Sequence, residues 1–103
     1  MASNRLDILK SMLEQDPSSA FARYGLAMEY VNLGRFDEAM DEFHSLLGSN
    51  PDYSAGYFHG GRTLERMGKI DEARVMYEKG IEVTARTGDA HTRSELQAAL
   101  DLL

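Results

Sequence analysis

The chain has 103 residues, 43% of them apolar, which suits one domain with a modest core and is too apolar for a disordered segment. It carries 11 basic and 17 acidic side chains, a formal net charge of -6, and no cysteine. Nucleic-acid binding needs clustered Lys and Arg to meet phosphates, and anionic membrane surfaces repel acidic chains, so neither is an expected partner; without thiols, disulfides and thiolate metal sites are excluded.

The negative charge lies early: residues 1–60 hold 4 basic and 9 acidic groups, residues 61–103 hold 7 and 8. Solubility is the plain reading of that charge. The opening MASNRLDILK lacks the apolar core of a signal peptide, and no run approaches the roughly 18 apolar residues of a membrane span. A cytoplasmic protein is therefore expected. Thr and Val are sparse and never alternate with polar residues, so the expected class is all-α.

Residues 1–3 are expected to fray, with Asn4 capping a first helix from about Arg5 to Gln15. Leu6, Leu9, Met12 and Leu13 place an apolar stripe on it, and Asp16-Pro17 ends it. This helix has no preceding partner and reads as the second half of a helical hairpin. Ser18 or Ser19 can cap a second helix, Ala20 to Leu33, whose apolar residues form two faces: Leu26, Ala27 and Tyr30, then Phe21, Tyr24, Met28 and Val31. Gly34 suits the left-handed turn that ends a helix. The third helix starts at about Phe36 and runs to Leu47, with Phe36, Ala39, Met40, Phe43, Leu46 and Leu47 inward and Asp37, Glu38, Asp41 and Glu42 in water.

After Gly48-Ser49-Asn50-Pro51-Asp52, a fourth helix is expected from Tyr53 to Met67. Its interior glycines each cost about 1 kcal/mol in propensity, which points to a packing role; Gly56 and Gly60 share a face that could admit Phe43 or Tyr77. The fifth helix, Ile70 to Arg86, packs through Ile70, Ala73, Tyr77 and Ile81, with Gly80 allowing close approach. Thr87-Gly88-Asp89 closes it and caps a last helix, Ala90 to Leu102, with Leu96, Ala99, Leu100 and Leu103 on one side.

Leu33-Gly34-Arg35-Phe36-Asp37-Glu38-Ala39 returns 34 residues later as Met67-Gly68-Lys69-Ile70-Asp71-Glu72-Ala73. With Leu26, Ala27, Tyr30, Ala39, Phe43 and Pro51 in the first unit, and Tyr57, Gly61, Leu64, Ala73 and Tyr77 in the second, the pattern resembles the tetratricopeptide repeat. It departs from it at Arg23, where an aromatic is usual, at Gly60 for leucine and at Ala85 for the closing proline. The resemblance implies one domain over residues 1–103: a half-repeat helix at 5–16, repeats at 20–53 and 54–87, and a capping helix at 89–103. Antiparallel hairpins would stack as a short right-handed solenoid, as in small stand-alone bacterial members of the family.

The resemblance also implies a non-enzymatic protein-interaction module that binds a peptide or partner helix through a shallow concave groove. The corresponding residues are Phe21, Tyr24, Met28, Val31 and Asn32, then Ala55, Phe58, Arg62, Glu65 and Arg66. Some members clamp a C-terminal carboxylate with lysine and asparagine; Tyr24, Met28 and Phe58 stand there instead, so that mode is not expected. The alternative role is structural, with homodimerisation through the same apolar surface, and a terminal helix covering that surface is the blander possibility. Arg62 and Arg66 either meet an acidic partner group or form an ordinary solvated face. No cofactor is expected. His44, His59 and His91 fall on three helices without metal-ligand spacing. No serine sits in a nucleophile turn, and the glycines follow no strand. Asp37-Glu38 and Asp71-Glu72 begin helices, which accounts for them without acid–base chemistry.

Overall fold

The computed structural model describes residues 4–103; the expected fraying of residues 1–3 lies outside them. Six helices follow one another: α1 (Asn4–Gln15), α2 (Ala20–Asn32), α3 (Phe36–Ser49), α4 (Ser54–Arg66), α5 (Ile70–Thr87) and α6 (Ala90–Asp101). Among the described residues there is no strand. Two compact units result, one ending at Asn50 and one spanning Pro51–Leu103.

The first unit comprises α1 to α3. Asn4, expected as a cap, is already helical. Ser19 caps α2, its hydroxyl accepting from the Ala22 N–H at 3.2 Å. Gly34 then turns the chain at φ 74°, its N–H donating to the Val31 carbonyl while the Arg35 N–H donates to that of Tyr30. This paired closure stops α2 and sends α3 back antiparallel after a three-residue turn. Ala22, Ala27, Ala39, Phe43 and Leu46 are completely buried. On the other side of α2, Leu9 of α1 lies so close to Gly25 that a Cβ there would stand 2.9 Å from its Cδ2. Glycine at 25 is what lets α1 seat on α2.

The second unit repeats the turn. Gly68 adopts φ 77°, its N–H donating to the Glu65 carbonyl and the Lys69 N–H to that of Leu64. Gly61 of α4 lies against the Tyr77 ring, which a Cβ at that position would overlap. Gly80 meets Tyr57 and Leu96, with an added Cβ 2.6 Å from Tyr57 Cβ and 2.9 Å from Leu96 Cδ1. Its missing side chain thus joins α5 to both α4 and α6. Ile70, expected inward, is exposed at the first position of α5; Met76, Val83 and Thr84 supply buried contacts instead. Buried Thr63 and Thr84 satisfy their hydroxyls by donating to the carbonyls of His59 and Gly80. Asp89 caps α6 by accepting from the Thr92 N–H and also accepts from the Ser54 hydroxyl; these bonds hold its carboxyl below the usual range.

Candidate functional site

Three of the residues expected in a groove, Phe21, Tyr24 and Met28, converge in the first unit. They lie at i, i+3 and i+7 on α2 and so share one face. With Gly25 they form one wall of a groove of about 590 Å³, whose other wall is Arg5, Ile8, Leu9 and Met12 of α1. The N-terminal helix therefore builds this groove rather than closing it. Phe21 is 71% exposed, Ile8 59% and Met12 38%. Leaving such side chains in water forgoes about 1.5–3 kcal/mol for each that a partner could bury. The apolar floor has a polar end: Arg5, with most of its side chain in solvent, approaches buried Glu29 at 3.6 Å. Val31 is half-buried and Asn32 exposed further along α2; neither lines the groove.

Sequence reasoning missed the α1 wall. Arg5, Ile8 and Met12 stand 34 residues before Ala39, Glu42 and Leu46, the face that α3 turns to α2, and that correspondence was the available signal.

The remaining candidates lie on α4 in the second unit. Ala55, Phe58 and Glu65 are half-buried, Arg62 and Arg66 exposed. The Arg62 guanidinium carbon stands 5.8 Å from the centre of the Phe58 ring, and His59 meets that ring edge-on at 5.1 Å. Glu65 accepts a hydrogen bond from the Tyr77 hydroxyl and lies 4.0 Å from Arg62. Burial, followed by the hydrogen bond to Glu65, raises the Tyr77 pKa, so the phenol stays neutral well into alkaline solution. Burial lowers the His59 pKa and favours a neutral imidazole. Arg62 and Glu65 are thus engaged inside the unit, while Arg66 sits at the exposed C-terminal end of α4.

Among the described residues no group of His, Cys, Asp or Glu could hold a metal ion, and no helix is long and apolar enough to cross a membrane. Tight left-handed turns, and buried alanines and glycines where helices cross, define an α-helical repeat protein. Tetratricopeptide repeat models match residues 6–59 and 55–87. The chain belongs to the tetratricopeptide repeat family.

It is 28% identical over 92 residues to TPR repeat-containing protein PA0015 of Pseudomonas aeruginosa, covering 89% of this chain and 88% of that protein. It spans only 10% to 26% of the length of several longer curated relatives. The solution structure of a tetratricopeptide repeat domain protein from Salinibacter ruber is 38% identical, with a TM-score of 0.78, covering 82% of this chain and 86% of that one. The fold also matches PcrH, crystallised in complex with the chaperone binding region of PopD, at 16% identity and a TM-score of 0.87 over 94% of this chain and 74% of that one.

Proposed function

We propose that this chain is a non-enzymatic protein-interaction module that binds a peptide or helix of another protein. Phe21, Tyr24 and Met28 are its principal contacts, with Val31 and Asn32 beyond them. Ala55, Phe58, Arg62, Glu65 and Arg66 act as contacts in the second unit. The observation that carries this reading is the uncovered apolar groove of the first unit, with Phe21 at 71% exposure. Large exposed aromatics beside a concave apolar surface are the usual anchors of helix-in-groove recognition. Relatives with this fold include one captured with a segment of its partner, PcrH with PopD, which supports the class of activity without naming a partner here.

The test is partner capture by the intact chain from cells of its source, compared with Phe21→Asp, Phe58→Ala and Arg62→Glu. These side chains carry little of the core, so each variant should keep the helical circular dichroism of the wild type. Lower recovery of the same partners is expected, most severe for Phe21→Asp. Unchanged recovery by all three would contradict the reading. A second reading, homodimerisation through the same apolar surface, is favoured by the contiguity of Ile8, Met12 and Phe21. A monomeric mass by light scattering at high concentration excludes it.

A further inference from the structure

The α1 face that lines the groove has a counterpart in each of the other hairpins. One repeat further on, Ile8, Leu9 and Met12 correspond to Glu42, Phe43 and Leu46, where α3 packs against α2. Glu42 there holds Arg23 of α2 at 2.8 Å, and Phe43 and Leu46 are wholly buried. Two repeats further on they correspond to Met76, Tyr77 and Gly80, where α5 packs against α4. Those three are buried as well, with Tyr77 against Gly61 and Gly80 against Tyr57. In both complete hairpins this face is covered by a preceding antiparallel helix. In α1 it is still apolar, yet Ile8 and Met12 are open to solvent.

The second unit also shows how such a seat is filled. There α4 packs against α5 and touches α6 as well. The pair α5–α6 corresponds to α1–α2, a second helix followed by the first helix of the next hairpin, so the α1–α2 groove is the place that α4 occupies in its own unit.

We infer that the occupant of the α1–α2 groove is an amphipathic α-helix of another protein, seated antiparallel to α1 as α4 is to α5. This inference rests on the interaction-module reading and adds the form, direction and chemistry of the partner. Arg5 to Met12 spans about 10 Å at about 1.5 Å per residue, so roughly two turns of the incoming helix make contact. It presents apolar residues at i, i+4 and i+7 and a small residue opposite Leu9, as Gly61 stands opposite Tyr77. Near its C-terminal end it carries a carboxylate level with Arg5, whose position in the other hairpins belongs to Ala39 and Ala73. Its outer flank is neutral or basic, because residues 1–50 hold 8 acidic and 4 basic groups.

The same charge disfavours a second copy of this chain. A second copy also has no unpaired first helix of a hairpin to offer among the described residues, since its α2 and α4 already pack against α3 and α5.

The probe is a synthetic peptide with the sequence of α4, Ser54–Arg66. An isolated helix of this length is marginal in water, so it is stapled on the face that points away from α5. It is labelled with a fluorophore and titrated with the intact chain by anisotropy. Saturable one-to-one binding is expected, weakened about tenfold or more by either Ile8→Asp or Met12→Asp. Both sites are exposed, so helicity and melting temperature should hold. Arg5→Glu should weaken binding, and a peptide carrying Glu65→Arg should restore it. Absence of saturable binding overturns the inference. So does binding that is lost with Phe21→Asp but indifferent to Ile8→Asp and Met12→Asp, an outcome that leaves the interaction-module reading standing. A dimeric mass in light scattering that Ile8→Asp returns to monomer puts a second copy in the seat and overturns it too.

Discussion

At the same place in the repeat, the first unit has Arg23 and the second has Tyr57, and both reach back to the carbonyl of a proline. Arg23 Nη2 donates to Pro17 at 3.2 Å and the Tyr57 hydroxyl to Pro51 at 2.7 Å. The arginine uses its second nitrogen on Glu42, so charge does in one unit what an aromatic ring does in the other. The core pairs diverge in the same way. Ala27 and Phe43 are replaced one period on by Gly61 and Tyr77, the larger ring being accommodated by the smaller partner. Leu46 becomes Gly80, and the space admits Leu96 of α6. Pro51 becomes Ala85, so α5 runs 18 residues where α3 runs 14. The lesson is that one helical period tolerates different side chains as long as volume and hydrogen-bond reach are conserved across each contact. The units differ most in what they leave uncovered: an open apolar groove in the first, a filled three-helix arrangement in the second.

Making the second unit resemble the first should break it at the points where it diverged. Ala85→Pro restores the closing proline within a continuous helix, removes an interior N–H and crowds the Ile81 carbonyl. A loss of about 3 kcal/mol is expected in denaturant unfolding. Unfolding at the wild-type midpoint would mean that the last turn of α5 adds nothing. Gly61→Ala restores the alanine of the first unit but leaves the tyrosine. A gain of about 1 kcal/mol in helix propensity is outweighed by overlap with the Tyr77 ring, for a net loss of about 2 kcal/mol. Adding Tyr77→Leu should recover part of it, and failure to recover would place the strain elsewhere.

The polar contacts matter less. Tyr57→Phe removes one part-buried hydrogen bond and should cost about 1 kcal/mol. Arg23→Met in the first unit should cost no more, since a partly solvated ion pair contributes little and the aliphatic stem is kept.

The smallest effect expected is that of pH. The pKa of His59 is lowered below 6.5 by burial, so the unfolded chain binds this proton more readily than the folded one. Its contribution is therefore a loss of stability as pH falls through 6.5 toward the folded-state pKa. His59→Gln should flatten that part of the profile of melting temperature against pH. A profile identical to wild type would remove His59 as the cause.

Much of this architecture was legible because it depends on local chemistry. The Leu33-Gly34-Arg35 and Met67-Gly68-Lys69 turns require a left-handed residue between two apolar helices, and glycine marks both. Gly88 and Asp89 likewise announced the end of α5 and the start of α6. Phe21, Tyr24 and Met28 were legible as a face because their spacing is helical and the opposite side of α2 was already apolar. What escaped was three-dimensional. Gly60 and Gly61 are adjacent in sequence, and only the packing of α4 against α5 shows that the Tyr77 ring lies on Gly61. Ile70 carried an inward pattern but sits at a helix start, where the neighbouring turn no longer covers it. The α1 wall escaped because the apolar stripe read on α1 was Leu6, Leu9, Met12 and Leu13, which leaves out Arg5 and Ile8.

The open groove of the first unit is tested most directly by comparing two equally conspicuous apolar side chains. Phe21 lies in the groove; Val75, 62% exposed on α5, does not. Partner recovery by the intact chain should collapse for Phe21→Asp and match wild type for Val75→Asp. Equal recovery by the two variants, or a loss confined to Val75→Asp, would contradict the account.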